Sequence, residues 1–249
     1  YMLFFDSDVI LPPFYFERLQ AAMEAEYCDC FGGPDAADAS FSDIQKAVNH
    51  SMTGFWTTGG IRGGKVVAEK FCPRTFNMGI KKEVFNQIGG FSNMRFGEDV
   101  DFSYKVKEGG YDSRLFGENW VYHKRRNTFR TFFKQVFNSG IARIHLTRRH
   151  PGTLKLVHLL PSAFVLGCLF LIIVAVTICP WAITPIPLLA LILFADATIR
   201  KKSIWTGILS VAASFVQLSG YGSGFLIGWW NICIRGRHDY AAFVKNFYR

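Results

Sequence analysis

Acidic residues are scarce in this sequence, cysteines form no framework, and one long region holds almost no charge of either sign. Asp and Glu number 19 against 28 Lys and Arg, for a formal charge of +9. From Lys124 to Arg149 there are eight basic residues and no acidic one. Cys28, Cys30, Cys72, Cys168, Cys179 and Cys233 show no paired pattern: three lie in apolar stretches, and Cys28-x-Cys30 is too tight for a zinc knuckle. A disulfide- or zinc-stapled domain is therefore excluded, and reduced thiols are expected. The opening YMLFFDSDV lacks a basic start and a small-residue cleavage site, and it brings two carboxylates within eight positions, so it does not read as a signal peptide. It reads as a buried, parallel-type strand that begins abruptly, and the expectation is a chain cut at its N-terminus.

What is present divides near Lys155. Before it the sequence is mixed and charged; after it long uncharged runs dominate, more than a soluble core needs. In the first part, strand and helix signals alternate. Residues 14–27 have helical spacing, Gly32-Gly33-Pro34 is a turn after a short strand, and 41–57 is helical. Residues 76–80 are extended, 82–88 form a short helix ending at Gly89-Gly90, 98–108 form another ending at Gly109-Gly110, and 113–123 contain the next strand. That alternation indicates an α/β domain.

From Phe129 to Ile144 the apolar residues follow one helical face, with Arg130, Lys134 and Arg143 on the other. Such a helix beside a membrane segment suits an anionic lipid interface, or else packs on the domain. Leu159–Cys179 is long enough to span a bilayer, Trp181–Ala195 is a shorter apolar run, and Ile204–Ile234 exceeds one span and contains Gly220, Gly222 and Gly224. Basic residues at 148, 149 and 155 and at 200–202 place the α/β domain and that second loop on the cytoplasmic side. Arg235, Arg237, Lys245 and Arg249 would then be outside after a third crossing, so a bent or hairpin third segment is expected. Asp196, near the end of the second run, is either an intramembrane functional carboxylate or an interface residue.

Chemistry concentrates at three places. Asp6-Ser7-Asp8 follows a hydrophobic strand, where open α/β sheets place ligand crevices, and two carboxylates there can approach Mg²⁺ or Mn²⁺. Asn77-Met78-Gly79 follows in FNMGIKKEVFNQIGGF, and Glu98-Asp99-Val-Asp101 opens a helix in FGEDVDFSYKVKEGGY. A single carboxylate at a helix start is usually a cap, but three together with the earlier pair ask for more. The Gly-rich 57–64 loop lacks the Lys-Ser/Thr of a P-loop and reads as a mobile acceptor loop.

In that order, FFDSDVILP, FNMGIKKEVFNQIGGF and FGEDVDFSYKVKEGGY resemble family 2 glycosyltransferases of the GT-A fold over about residues 1–150, and QLSGYGSGF resembles their membrane-attached members. The resemblance implies an α/β, partial GT-A (Rossmann-like) domain over 1–126, an amphipathic interfacial helix over 127–150, and transmembrane helices with a basic tail over 151–249. It implies that Asp6 and Asp8 hold the metal and the diphosphate of a nucleotide-sugar, with His123 completing the shell. Asp99 would be the catalytic base with Glu98 beside it. Asn77, Met78, Gly79, Asp101, Arg125, Gln135 and Arg143 would line the donor and acceptor pocket. His123 is equally readable as a surface residue near lipid. Where processive synthases carry QxxRW, this chain reads QVFNSGIAR without the Trp, which favours single-sugar transfer. The implied reaction is an inverting transfer to a lipid-linked or envelope polysaccharide acceptor at the cytoplasmic membrane, with no nucleic-acid partner. The strands that bind base and ribose in this fold would precede residue 1. Two rival readings remain at this point: a transporter or assembly protein with a cytoplasmic α/β domain, and a metal-dependent polyprenyl-phosphate phosphotransferase.

Overall fold

Brief apolar runs closed by glycine or a proline give brief strands, and the computed structural model has them at Met2–Phe4 (β1), Val9–Ile10 (β2), Cys30–Gly32 (β3) and Asp35–Ala36 (β4). Later come Met78–Ile80 (β5), Ser113–Leu115 (β6) and Val121–His123 (β7). The structure describes residues 1–36, 38, 40–58 and 72–244, and they fall into two units: 1–41 with 72–124, and 42–58 with 125–244. The Gly-rich loop lies outside the described residues from position 59 onward.

The first unit carries two small mixed sheets, ordered β1-β5-β3-β6 and β2-β7-β4. β1 runs antiparallel to β5, pairing Met2 with Ile80 and Phe4 with Met78. This corrects the expectation of a parallel strand buried on both faces. Met2 and Phe4 pack inward, while Leu3 between them is 36 % exposed, as the two-residue period of a strand requires. After Phe4 the chain turns at Asp6, whose carbonyl accepts from Val9 N–H, and enters the other sheet. The DxD pair therefore sits in the turn between two sheets.

Helices Tyr15–Ala25 (α1), Lys82–Gln87 (α4) and Glu98–Glu108 (α5) cover the sheets. Phe31, Phe102, Met78 and Ile80 are at most 1 % exposed, and burying each contributes about 1.5–3 kcal/mol. At Gly79 a Cβ would lie 2.1 Å from the Phe31 ring, so the glycine is a packing requirement. Gly97, at φ 82°, turns the chain into α5 in a backbone region that side chains disfavour.

The second unit is all helix. Asp43–Thr53 (α2) begins with a reciprocal Ser42–Gln45 capping box, and Phe55–Thr58 (α3) follows a break at Gly54. Then come Phe129–Arg149 (α6), Leu160–Thr177 (α7), Pro185–Lys201 (α8) and Ile204–Trp229 (α9), which ends in a π turn at Trp230–Ile234. α2, which lies within 1–126 of the chain, packs here, with Ala47, Val48 and Met52 against Phe132, Val136 and Ala213.

α9 is one continuous helix, which corrects the expected bend or hairpin. Its glycines do not interrupt it because they let α6 approach its backbone. A Cβ at Gly224 would lie 2.0 Å from Phe137 O, and one at Gly140 of α6 would lie 2.3 Å from Tyr221 O. The apolar face of α6 is therefore covered by α9, while Arg130, Arg148 and Arg149 remain exposed. Three helical segments are long and apolar enough to cross a membrane: Leu160–Thr177, Pro180–Lys201 and Ile204–Ile234.

Candidate active site

The turn that ends β1 and the strand β7 bring Asp6, Asp8 and His123 together. The register Val9↔His123 fixes this, because β2 starts directly after Asp8. His123 Nε2 lies 3.3 Å from Asp8 Oδ1 and 3.8 Å from Asp6 Oδ2. One ligand atom from each of the three lies within 4.8 Å of the others. On the opposite ring edge, Nδ1 faces Asp35 Oδ2 of β4 at 3.5 Å, and Phe76 stacks on the imidazole at 4.9 Å. A cation held between the two carboxylates would be met by the Nε2 lone pair, with the ring proton then on the Nδ1 edge that faces Asp35.

Burial pushes the Asp6 carboxyl above its ordinary value, which the nearby His123 and a Thr75 hydrogen bond only partly offset. Burial likewise raises Glu98, with Asp99 and Asp6 adding repulsion. The two groups of carboxylates are therefore close enough to repel each other. Two carboxylate oxygens and an imidazole nitrogen in such a field fit a divalent cation of the Mg²⁺ or Mn²⁺ kind, the nitrogen being better matched to Mn²⁺.

Asp99 is held by its neighbours on both oxygens. Oδ1 accepts from Val100 N–H at 2.7 Å at the helix start, and Oδ2 accepts from Arg74 at 2.9 Å. Burial would by itself lower the Arg74 pKa, but Asp99 outweighs it, so the guanidinium stays charged beside the carboxylate.

The remaining expected site residues divide by what their side chains touch. Asn77 is fully buried; its Oδ1 accepts from Tyr15 at 2.6 Å and its Nδ2 donates to Asn119 O at 2.7 Å. Met78 and Gly79 lie in the core of β5. Asp101 is 1 % exposed, accepts from Ser92 and lies 3.8 Å from Lys105. These four do not face a pocket: they build the frame that carries Arg74, Thr75 and Asp99. Arg125, Gln135 and Arg143 belong to the second unit, where Arg125 Nε donates to Asn49 Oδ1 at 3.0 Å and Arg143 lies half-buried. Asp196 pairs with Arg200 at 2.7 Å and with His50 at 3.3 Å, so its charge is met by partners on α8 itself and on α2. Asp35, Thr75 and the role of Arg74 escaped the sequence reading. Asp35 carried one signal, an acidic residue at the strand that follows a Gly-Gly-Pro turn.

The model of the glycosyl transferase family group 2 matches residues 1–195. The chain belongs to this family. A search among curated proteins gives no match. A family group 2 glycosyl transferase is an enzyme that takes a sugar donor and an acceptor, so the match decides against the transporter and phosphotransferase readings. Within a glycosyl transferase of this kind, apolar helices such as α7, α8 and α9 fit attachment to a membrane.

Proposed function

We propose that this glycosyl transferase moves a sugar from a nucleotide-sugar to a lipid-linked or envelope polysaccharide acceptor, inverting the anomeric carbon, at the cytoplasmic face of the inner membrane. The observation that carries the reading is the Asp6–Asp8–His123 cluster within electrostatic reach of Glu98 and Asp99.

Asp99 is the base. Its Oδ receives the acceptor hydroxyl proton as the acceptor oxygen attacks the anomeric carbon, and the nucleoside diphosphate leaves from the opposite face. One displacement through an oxocarbenium-like state inverts the configuration. Arg74 keeps Asp99 oriented until the hydroxyl arrives. Asp6, Asp8 and His123 hold a Mg²⁺ or Mn²⁺ ion, which supplies neutralisation of the charge on the departing diphosphate. Asp35 orients His123 for that task.

The exposed basic side chains of α6 favour a lipid-phosphate surface and support the interfacial assignment of 127–150. The absence of a Trp after QVFNSGIAR favours addition of one sugar at a time. The test is turnover of a panel of UDP- and GDP-sugars by membranes carrying the protein, with Mn²⁺ or Mg²⁺ against EDTA and the product anomer read by NMR. Metal-dependent transfer with inversion is expected; retention of configuration or full activity in EDTA would overturn the reading.

A further inference from the structure

We infer that the third apolar segment, α9, does not cross the membrane but lies along its surface as a beam on which the α7–α8 hairpin stands, so that the chain crosses twice and residues 235–244 stay on the side that carries α2 and α6. The inference rests on membrane association alone and not on the transfer reaction.

Three independent observations carry it. The first is how the two other apolar helices meet α9. α7 meets it near its own start: a Cβ at Gly222 would lie 2.2 Å from Pro161 O, Ser162 Oγ donates to Gly222 O, and Phe164 packs edge-on against Phe215. α8 touches it near its own end, with Thr198 and Phe194 against Gly207. The α7 foot, at Phe215 and Gly222, stands 8 to 15 positions from the α8 foot at Gly207, about 12–22 Å at the helical rise. Past these feet, α7 and α8 present Leu169, Phe170, Ile173, Val176, Leu188 and Leu191 outward. A third spanning helix in a bundle would instead run beside them toward the far end.

The second observation is what covers α9. α2 packs on it at Ala213, and α6 follows it in parallel, Val136 on Gly220, Phe137 on Gly224 and Ile141 on Gly228. α6 carries Arg130, Lys134, Arg143, Arg148 and Arg149. If α9 crossed the bilayer, this basic helix would be drawn to hydrocarbon depth with it, where Arg and Lys are strongly disfavoured. The exposed residues of α9 lie at its two ends, Ile204, Trp205, Ile208 and Ala212 at the start and Ile227 and Trp229 at the finish, with Trp230 just after it. Exposed apolar residues with tryptophans at both ends, backed by the basic helix α6, suit a helix lying in an anionic lipid surface.

The third is where the chain goes next. Residues 237–244 fold back on α6: Ala242 N–H donates to Asn138 Oδ1, His145 Nε2 meets Tyr240 O at 2.9 Å, and Arg148 meets His238 at 2.8 Å. Phe243 packs on Phe137. Both ends of α9 therefore lie against elements of one side, since α8, which leads into it, ends at the Asp196–His50 pair with α2. Two crossings also put every basic cluster, 148–155, 200–202 and 235–237, on that same side, which three crossings cannot do.

Labelling of single cysteines in sealed vesicles of either orientation with an impermeant maleimide tests this. In a background with the other native cysteines replaced, Cys179 at the hairpin tip would be compared with Arg130→Cys, Lys202→Cys and Arg237→Cys. The expected result is that Arg237→Cys reacts from the same side as Arg130→Cys and Lys202→Cys, and Cys179 only from the opposite side. Reaction of Arg237→Cys together with Cys179 would overturn the inference. If the label reaches position 237 from neither side, a phosphatase active only on the far side decides. Inserted at the 179–184 turn it is expected to work and fused after residue 249 to be silent; activity at both sites would overturn the inference.

Discussion

The two units solve the same problem, bringing residues distant in the chain together, with opposite means. In the first unit side-chain chemistry decides: charged and hydrogen-bonding groups at strand ends converge on His123 and Asp99, while the strands that carry them are only two or three residues long. In the second unit the absence of side chains decides. Gly140, Gly220, Gly224 and Gly228 let α6 and α9 touch backbone to backbone, while Arg130, Arg148 and Arg149 of α6 stay exposed. Loss of a charge should therefore damage function in one unit, and gain of a methyl group should damage stability in the other.

The sharpest way to break this contrast begins with the metal ligands. Asp8→Ala is expected to lower metal-dependent turnover by more than the roughly 10–100-fold typical of an outer-shell neighbour, while the melting temperature of the apo protein in detergent stays near wild type. A fall in stability equal to that of a core variant would erase the distinction. Asp35→Asn should fall within about 10–100-fold in Mn²⁺ affinity, read by Mn²⁺ titration, because it alters only the orientation and basicity of His123. In the helical unit, Gly224→Ala forces a Cβ to 2.0 Å from Phe137 O, and the backbone on both sides must shift. A destabilisation of about 1–3 kcal/mol or more is expected, measured by thermal unfolding in detergent, with donor affinity unchanged. The smallest effect is at Glu98. Burial raises its carboxyl pKa in the folded state, so folding favours the protonated form and that contribution is lost as pH rises through the raised value. Glu98→Gln should therefore gain stability over wild type near neutral pH and lose that gain at acid pH, measured in EDTA across a pH series.

The same contrast explains what could be read from the sequence. The convergence of Asp6, Asp8 and His123 was legible because carboxylates and imidazole in ordered motifs have few uses, and α5 could be bounded from Glu98 to Glu108 because glycines close it. Asn77 and Asp101 carried the same polar signal but were used internally, since a buried polar group needs a partner as much as a ligand does. Asp35 and Arg74 act through another residue, and nothing in a single sequence says which carboxylate an arginine 25 positions away will face. The continuity of α9 could not be read because glycine permits both flexibility and close approach; only the partner helix decides between them. β1 was taken as parallel because an apolar run does not record strand direction.

The account stands on Asp99 as the base beside a cation site. The most direct measurement is single-turnover transfer by Asp99→Asn at saturating nucleotide-sugar and Mn²⁺, with donor affinity measured in the same preparation. The account predicts a rate lower by about 10²–10⁴-fold with donor affinity within a few-fold of wild type. An Asp99→Asn protein that transfers at the wild-type rate, or one that loses donor binding in proportion to activity, would contradict it.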